Sequence, residues 1–329
     1  MSTCLRSCLI TLFGLGLATA LGAAPACASD AYPTRPIVMV VPFAAGGGSD
    51  NLARILAGGM SEELGQPVVV ENKPGGSTTI AAGFVARAQP DGYTMLLGSL
   101  TTFVVNPLLE VKSSYTLDDL SLVGMVASFP MAYVVPSSSP FQSMAELVEN
   151  VKSAPPGTHS YASPGVGSPH HLGMEALKYR AGIDLVHVPY RGISPAIPDL
   201  MSGRVTAMLV DYAAVAGLIK DGRLRPLALG SAEPTAFLPE VPTMRSLGYD
   251  DFQIAGLQGL AVPAGVPADV LGKLVAALRD TMADDAIQAR LRDIGLDPEF
   301  LDPAAFAQRL TQERKELGTV IKANNITLE

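Results

Sequence analysis

Ile37-Val38-Met39-Val40-Val41-Pro42-Phe43-Ala44-Ala45-Gly46-Gly47-Gly48-Ser49-Asp50-Asn51-Leu52-Ala53-Arg54 is the stretch on which the reading of this chain turns. Residues 37–41 are β-branched or otherwise apolar and carry no charge, the pattern of a strand covered on both faces. Beyond a loop of small residues, Leu52, Ile55, Leu56 and Met60 recur at helical spacing, which predicts a helix over 50–64 opened by Asp50. Gly46, Gly47 and Gly48 therefore fall where a strand hands over to a helix. The first N–H groups of a helix lack internal partners and lie at the positive end of its dipole, so an anion can bind there without a cationic side chain. Glycine lets the backbone itself approach a ligand. The plainer reading of the same residues is a tight packing turn.

Working outward, the first 28 residues differ from the rest. They carry one basic residue, Arg6, an uncharged apolar run over 9–24 and the small residues Ala26-Cys27-Ala28. This is the pattern of a secretory signal peptide cut after Ala28, which implies export to the periplasm. Lipidation of Cys27 is the lesser alternative, because Ala24-Pro25-Ala26 lacks a bulky aliphatic residue. All three cysteines, Cys4, Cys8 and Cys27, fall in this segment. A mature chain without them has no disulfide framework, thiolate catalysis or cysteine-bound metal. It keeps 22 basic against 31 acidic residues, a net charge of −9, which argues against a nucleic-acid partner. No later stretch is apolar for long enough to span a bilayer.

A total of 329 residues points to two domains. From residue 31 onward strands and helices alternate, the pattern of an α/β chain with parallel sheets flanked by helices. Strands are predicted at 37–41, 68–71 and 93–97, with helices over 50–64 and 77–88. Apolar runs at 122–126 and 131–135 mark a crossing into a second unit. There the alternation resumes: helix 143–153, strand 158–162, helix 168–180, strand 185–188, a short helix near 194–202, and strands 205–210 and 225–229. The segment 252–262 returns the chain to the first unit, where helices near 267–282, 284–293 and 303–322 pack. Residues 29–130 and 255–329 thus make one domain and 131–254 the other, with a two-segment hinge. Residues 158–172 repeat the logic of 37–54: strand, glycine-containing loop, hydroxyl residue, helix. Two such loops place two sets of free N–H groups at strand C-terminal ends, where open α/β sheets bind ligands.

Other chemistry fits poorly. Gly46 and Gly48 imitate the start of a dinucleotide fingerprint and Glu71 stands near the ribose position, but Asn51 replaces the third glycine. No Gly-Lys-Ser/Thr ends a phosphate loop. His170 and His171 are adjacent, so their side chains diverge by about a hundred degrees on a helix and cannot share a metal. Gly167-Ser168-Pro169-His170 is not a nucleophile elbow. No metal, cofactor or catalytic residue is assigned. Ser49, Ser99, Ser163 and Ser168 are candidate donors to a carboxylate, although serine beside glycine is also common in turns. Asp50 is a helix cap or a ligand contact. Arg191, beside Tyr190, is an anion clamp or a solvated side chain. Asp211, at a strand end, accepts from a ligand or caps a helix.

The residues also resemble a known family. Tyr32-Pro33-Thr34-Arg35-Pro36, the stretch 41–54, Glu71-Asn72-Lys73-Pro74-Gly75, Pro90-Asp91-Gly92-Tyr93-Thr94 and Asn106-Pro107 carry the likeness. So do Val188-Pro189-Tyr190-Arg191-Gly192, Asp199-Leu200 with Gly203, and the stretches 161–168, 239–243 and 259–267. Together these are similar to the tripartite tricarboxylate transporter substrate-binding receptors, the Bordetella uptake gene (Bug) group. The resemblance implies a two-domain periplasmic binding protein of the type II-like, Venus-flytrap kind, each domain a mixed, mostly parallel sheet flanked by helices. It further implies capture of a small carboxylate for membrane permease subunits by a monomer that is not an enzyme. Loops 43–50 and 163–168 become the ligand loops, adding Phe43, Ala45, Gly165, Val166 and Gly167 to the candidates, to which Tyr190 of the motif 188–192 is joined. After Pro74-Gly75 the family's usual Ala-Gly-Gly is Gly76-Ser77-Thr78, which brings Ser77 beside the cleft. Two alternatives keep the fold: a sensor that presents its closed form to a sensor kinase, and an exported enzyme acting on a small carboxylate.

Overall fold

The structure, a computed structural model, describes residues 32–109, 114–249, 254–324 and 326. The signal-peptide and cysteine expectations, and Phe252 of the return segment, lie outside these. In chain order the first elements are β1 (Ile37–Val41), α1 (Gly48–Leu64), β2 (Val68–Asn72), α2 (Thr79–Ala86), β3 (Thr94–Ser99), α3 (Asn106–Leu108) and β4 (Leu120–Phe129). A middle run follows: β5 (Met131–Pro136), α4 (Met144–Ser153), β6 (Ser160–Ser163), α5 (Pro169–Ala181), β7 (Val186–Pro189), α6 (Ile197–Met201), β8 (Ala207–Asp211), α7 (Tyr212–Lys220) and β9 (Leu224–Leu229). The last elements are β10 (Gly256–Pro263), α8 (Ala268–Ala283), α9 (Asp285–Asp293), β11 (Asp297–Leu301) and α10 (Pro303–Ala323).

Two sheets result, ordered β11-β4-β10-β3-β1-β2 and β7-β6-β8-β5-β9. The alternation of strand and helix gives parallel pairs where expected, β1 with β2 and β3, and β6 with β7 and β8. The strands that carry the chain between sheets run the other way. β10 is antiparallel to β3 and β4, and β5 is antiparallel to β8 and β9. Pro130, lacking an N–H, separates β4 from β5 and lets one extended stretch serve both sheets. β1 joins the two sides of its sheet because Ile37, Met39 and Val41 pack with α1 while Val40 faces the opposite cluster.

Three features escaped the sequence. β11 is half-buried throughout and contains Pro298, so neither alternation nor an apolar run betrays it; it is an edge strand against β4. α7 buries only Val215 among its nine residues. Residues 101–105 form a π-helical turn directly after β3, a geometry often found near functional sites. The helix expected over 77–88 is shorter, because Ser77 and Thr78 have left-handed φ values of 48° and 77° and form a turn before α2.

One apolar cluster is continuous between the sheets. It holds Phe103 and Phe306, which meet edge to face, together with Tyr161, Leu172 and Leu177. α10 packs on α5, so the sheets are tied by helix packing as well as by the two crossings. Gly230 marks the second crossing: its N–H donates to Met131 O and its carbonyl accepts from Ile254 N. A Cβ there would stand 2.3 Å from the Ile254 carbonyl oxygen. Gly230→Ala is therefore expected to cost about 2–3 kcal/mol, read as a lower midpoint in urea unfolding. An unchanged midpoint would show that the return segment yields freely.

Candidate functional site

At the C-terminal end of β1 the backbone leaves the sheet and residues 44–48 are exposed. α1 begins at Gly48, two residues before Asp50, with Gly47 at its N-cap and no side chain capping it. Asn51 N bonds Gly47 O, and the N–H groups of Gly47, Gly48, Ser49 and Asp50 have no acceptor among the described residues. Of the three glycines only Gly46, at φ 82°, needs glycine for its conformation. Gly47 and Gly48 have open space beside them or an ordinary contact only.

Asp50 decides how these donors are held. It is 2% exposed, and its two oxygens accept from Arg54 Nε and Nη2, Gly46 N and Asn72 Nδ2, all at 2.9–3.1 Å. The Arg54 hydrogen bonds first, then those of Gly46 and Asn72, pull its pKa down to about 2. Asn72, at the end of β2, also donates to Phe43 O at 3.0 Å. Asp50 is thus neither a simple cap nor an open acceptor. It is a strut that ties the loop to the helix and to the neighbouring strand.

The sheet surface beneath α1 is apolar until it reaches this end. Met95 and Leu97 on β3 and Val262 and Leu260 on β10 pack in the α1 cluster, and the next residues on that face are Ser99 and Gln258, paired across the ladder. The Gln258 amide donates to Ser49 Oγ. Ser99 is buried and its N–H donates to Thr102 Oγ1. Thr102 in turn bonds Thr78 Oγ1 at 3.0 Å, and Asn106 donates to Ser77 O. This network offsets the left-handed backbone at 77–78, which ordinarily costs about 1–2 kcal/mol per residue. Ser77 itself is exposed.

The loop 163–168 differs from its expected role. Gly165 N donates to Ser163 Oγ, Gly167 N to His171 Nδ1, Ser168 N to Gly165 O and His171 N to Ser168 Oγ. Pro164 and Pro169 have no N–H, which leaves Val166 and His170 as the donors without an acceptor here. Of the two sets of free amides expected, the second is cut back: internal acceptors occupy most of it. Ser168 is the N-cap of α5 and also donates to Gly165 O at 2.7 Å. Val166 is 48% exposed.

Two imidazoles, His171 buried and His187 half-buried, fix this loop. Ser163 Oγ meets His187 Nε2 at 2.7 Å, and the His171 and His187 rings stack with centroids 4.2 Å apart. Burial first, then the neighbouring His187, lowers the pKa of His171 to about 4; burial also lowers that of His187. Tyr161 stacks on His187 and donates to Glu175, which Lys178 also reaches at 2.9 Å.

Tyr190 and Asp211 already have partners of their own. Tyr190 OH donates to Asp199 Oδ2 at 2.7 Å. Asp211 stands at the N-cap position of α7 without capping it, and its carboxylate meets His170 Nε2 at 3.2 Å instead. Arg191 is exposed. Phe43 is half-buried against the α1 cluster, and Ala45 is exposed on the loop. No hydrogen bond or ion pair among the described residues links the 43–50 group to the 163–168 group. A cavity of about 380 Å³ bordered by Glu233, Pro239, Pro242 and Arg245 shares no residue with either loop.

The sequence profile of the tripartite tricarboxylate transporter family receptors matches residues 52–326. The chain belongs to that family. This receptor is similar to the solved periplasmic binding protein BugD, at 34% identity and a TM-score of 0.73, over 91% of this chain and 100% of that one. R. palustris Rpa4515, solved with adipate, is 31% identical with a TM-score of 0.77, covering 90% of this receptor and 99% of that chain. MatC (Rpa3494) from Rhodopseudomonas palustris, solved with bound malate, is 29% identical with a TM-score of 0.71, over 88% and 100%. The receptor thus shares the two-domain periplasmic binding fold, with two mixed sheets flanked by helices.

Sequence reasoning missed Asn72, Thr78, Thr102, His187 and Gln258, and it considered His171 only as a metal ligand. Gln258 had a signal, as the one polar side chain in the run 254–262. The histidines had none, since their partners, a stacked ring, the Gly167 N–H and the Ser163 hydroxyl, are brought to them only by the fold.

Proposed function

We infer that this receptor captures a small carboxylate at the α1 N-terminus in the periplasm and presents it to the membrane subunits of a tripartite tricarboxylate transporter. The domains are 29–130 with 255–329, and 131–254, and closure buries the anion where water no longer competes. The observation that carries the reading is the group of N–H donors at Gly47, Gly48, Ser49 and Asp50, held by a buried strut and lacking acceptors. Val166 and His170 are the second-loop donors that would complete the ligand's shell, with the exposed Ser77 turn at its side. The adipate and malate held by two similar receptors support the ligand class. The receptor binds its acid without turning it over and works as a monomer.

A thermal-shift screen of mono-, di- and tricarboxylates tests this. A true ligand at a hundred times its Kd stabilises by about 2.7 kcal/mol, an upward shift in Tm that grows with concentration. No shift with any acid overturns the ligand class. Conversion of a hit, followed by NMR, overturns the receptor role in favour of an exported enzyme. Uptake of the labelled acid that survives deletion of this chain removes the transport role and favours sensing.

A further inference from the structure

Gln258 is 3% exposed, on the strand that closes the floor beneath the α1 N-terminus. Its Nε2 is occupied by Ser49 Oγ, and its Oε1 is buried without a donor. Buried amides in folded proteins are ordinarily paired at both ends, and an unpaired one asks for a partner. Ser49 is the second residue of α1, so the half-paired amide stands at the same helix end as the unpaired N–H groups. Two different demands therefore meet at one place. The helix end offers several donors, suited to a carboxylate, while Gln258 offers one acceptor, suited to a hydroxyl or amino hydrogen. On the α1 face of the sheet, Gln258 and Ser99 are the polar residues that end two otherwise apolar rows.

We propose that Gln258 is the specificity-determining contact of this receptor, its free amide oxygen accepting from a hydroxyl on the carbon next to the carboxylate held at α1. The preferred ligands are then 2-hydroxy acids rather than the corresponding plain acids. This rests on the carboxylate reading above and narrows it.

The test uses acid pairs that differ by one hydroxyl: lactate with propionate, malate with succinate, and citrate with tricarballylate, each titrated calorimetrically into the full mature chain. A site built to pair a ligand hydroxyl rejects the analogue that lacks it, so the hydroxylated member of the best pair should bind at least about tenfold tighter. Gln258→Met, close in volume and without an acceptor, should bring the ratio of the two affinities in each pair toward one, the hydroxy acid losing more than its partner. Gln258→Glu keeps an acceptor but adds a charge beside the anion, so it should weaken both members and preserve their ratio. Equal binding of both members by the wild-type chain overturns this inference alone, whatever the variants do. So does an equal loss for both members in Gln258→Met, which would mean that the amide serves only to hold Ser49. Binding of none of the six acids overturns this inference, and the carboxylate reading falls with it only if the wider screen of acids is also empty.

Discussion

Asp50→Ala is expected to lower affinity for the carboxylate ligand about 100-fold and to destabilise the fold by about 2–3 kcal/mol, because a buried acceptor with several donors is lost. Gly46 N and the Asn72 amide would be left facing a void, and the exposed loop 44–48 would lose the strut that fixes its N–H groups. Donors already in place bind a ligand without an ordering cost; once mobile they must be ordered at the moment of binding. Arg54→Ala is the control. Its side chain is 55% exposed, so solvent screens its pairing and its loss should cost far less than that of Asp50. Calorimetric Kd values and urea midpoints for the two variants decide the matter: equal, small effects would show that the loop holds itself. The pH dependence has a definite sign. The folded Asp50 pKa, about 2, lies below the ordinary carboxylate value, so its contribution is full above about 4 and disappears as pH falls through 2.

Acidification acts earlier, through the second loop. The pKa of His171, about 4, is depressed below the unfolded value of about 6.5. The unfolded chain therefore takes up its proton first, and stability that is complete above about pH 6.5 drains away as pH falls toward 4. Protonated Nδ1 cannot accept from Gly167 N, and a cation would then lie against the His187 ring, with Ser163, Tyr161, Glu175 and Lys178 around it. The melting temperature should drop by about 4 °C between pH 7 and pH 5, with weaker ligand binding over the same window. In His171→Asn the side-chain oxygen can take the place of Nδ1 as acceptor but does not titrate in this range. That variant should bind at pH 7 and lose most of the acid sensitivity. An Asn variant with the wild-type pH profile would move the effect to another group.

The sequence carried the element types far because they depend on local pattern. The uncharged β-branched run at 37–41 and the spacing of Leu52, Ile55, Leu56 and Met60 require no partner to be recognised, and the same holds for α4, α5, α8 and α10. Edge strand β11 was hidden because its stabilisation comes from β4 and not from its own alternation. The glycine triplet likewise located the loop, while only Gly46 proved to need glycine for its backbone.

By itself, then, the sequence determined that strand-to-helix junctions with glycine and serine recur in two α/β units, since turn chemistry and apolar periodicity act over a few residues. Which amides remain free was decided only by the tertiary structure. Asp50 meets Asn72 across 22 positions, Ser163 meets His187 across 24, and Ser49 meets Gln258 across 209. A hydrogen-bond donor is available to a ligand only if no acceptor in the folded chain reaches it first, and that competition is settled by packing between distant residues.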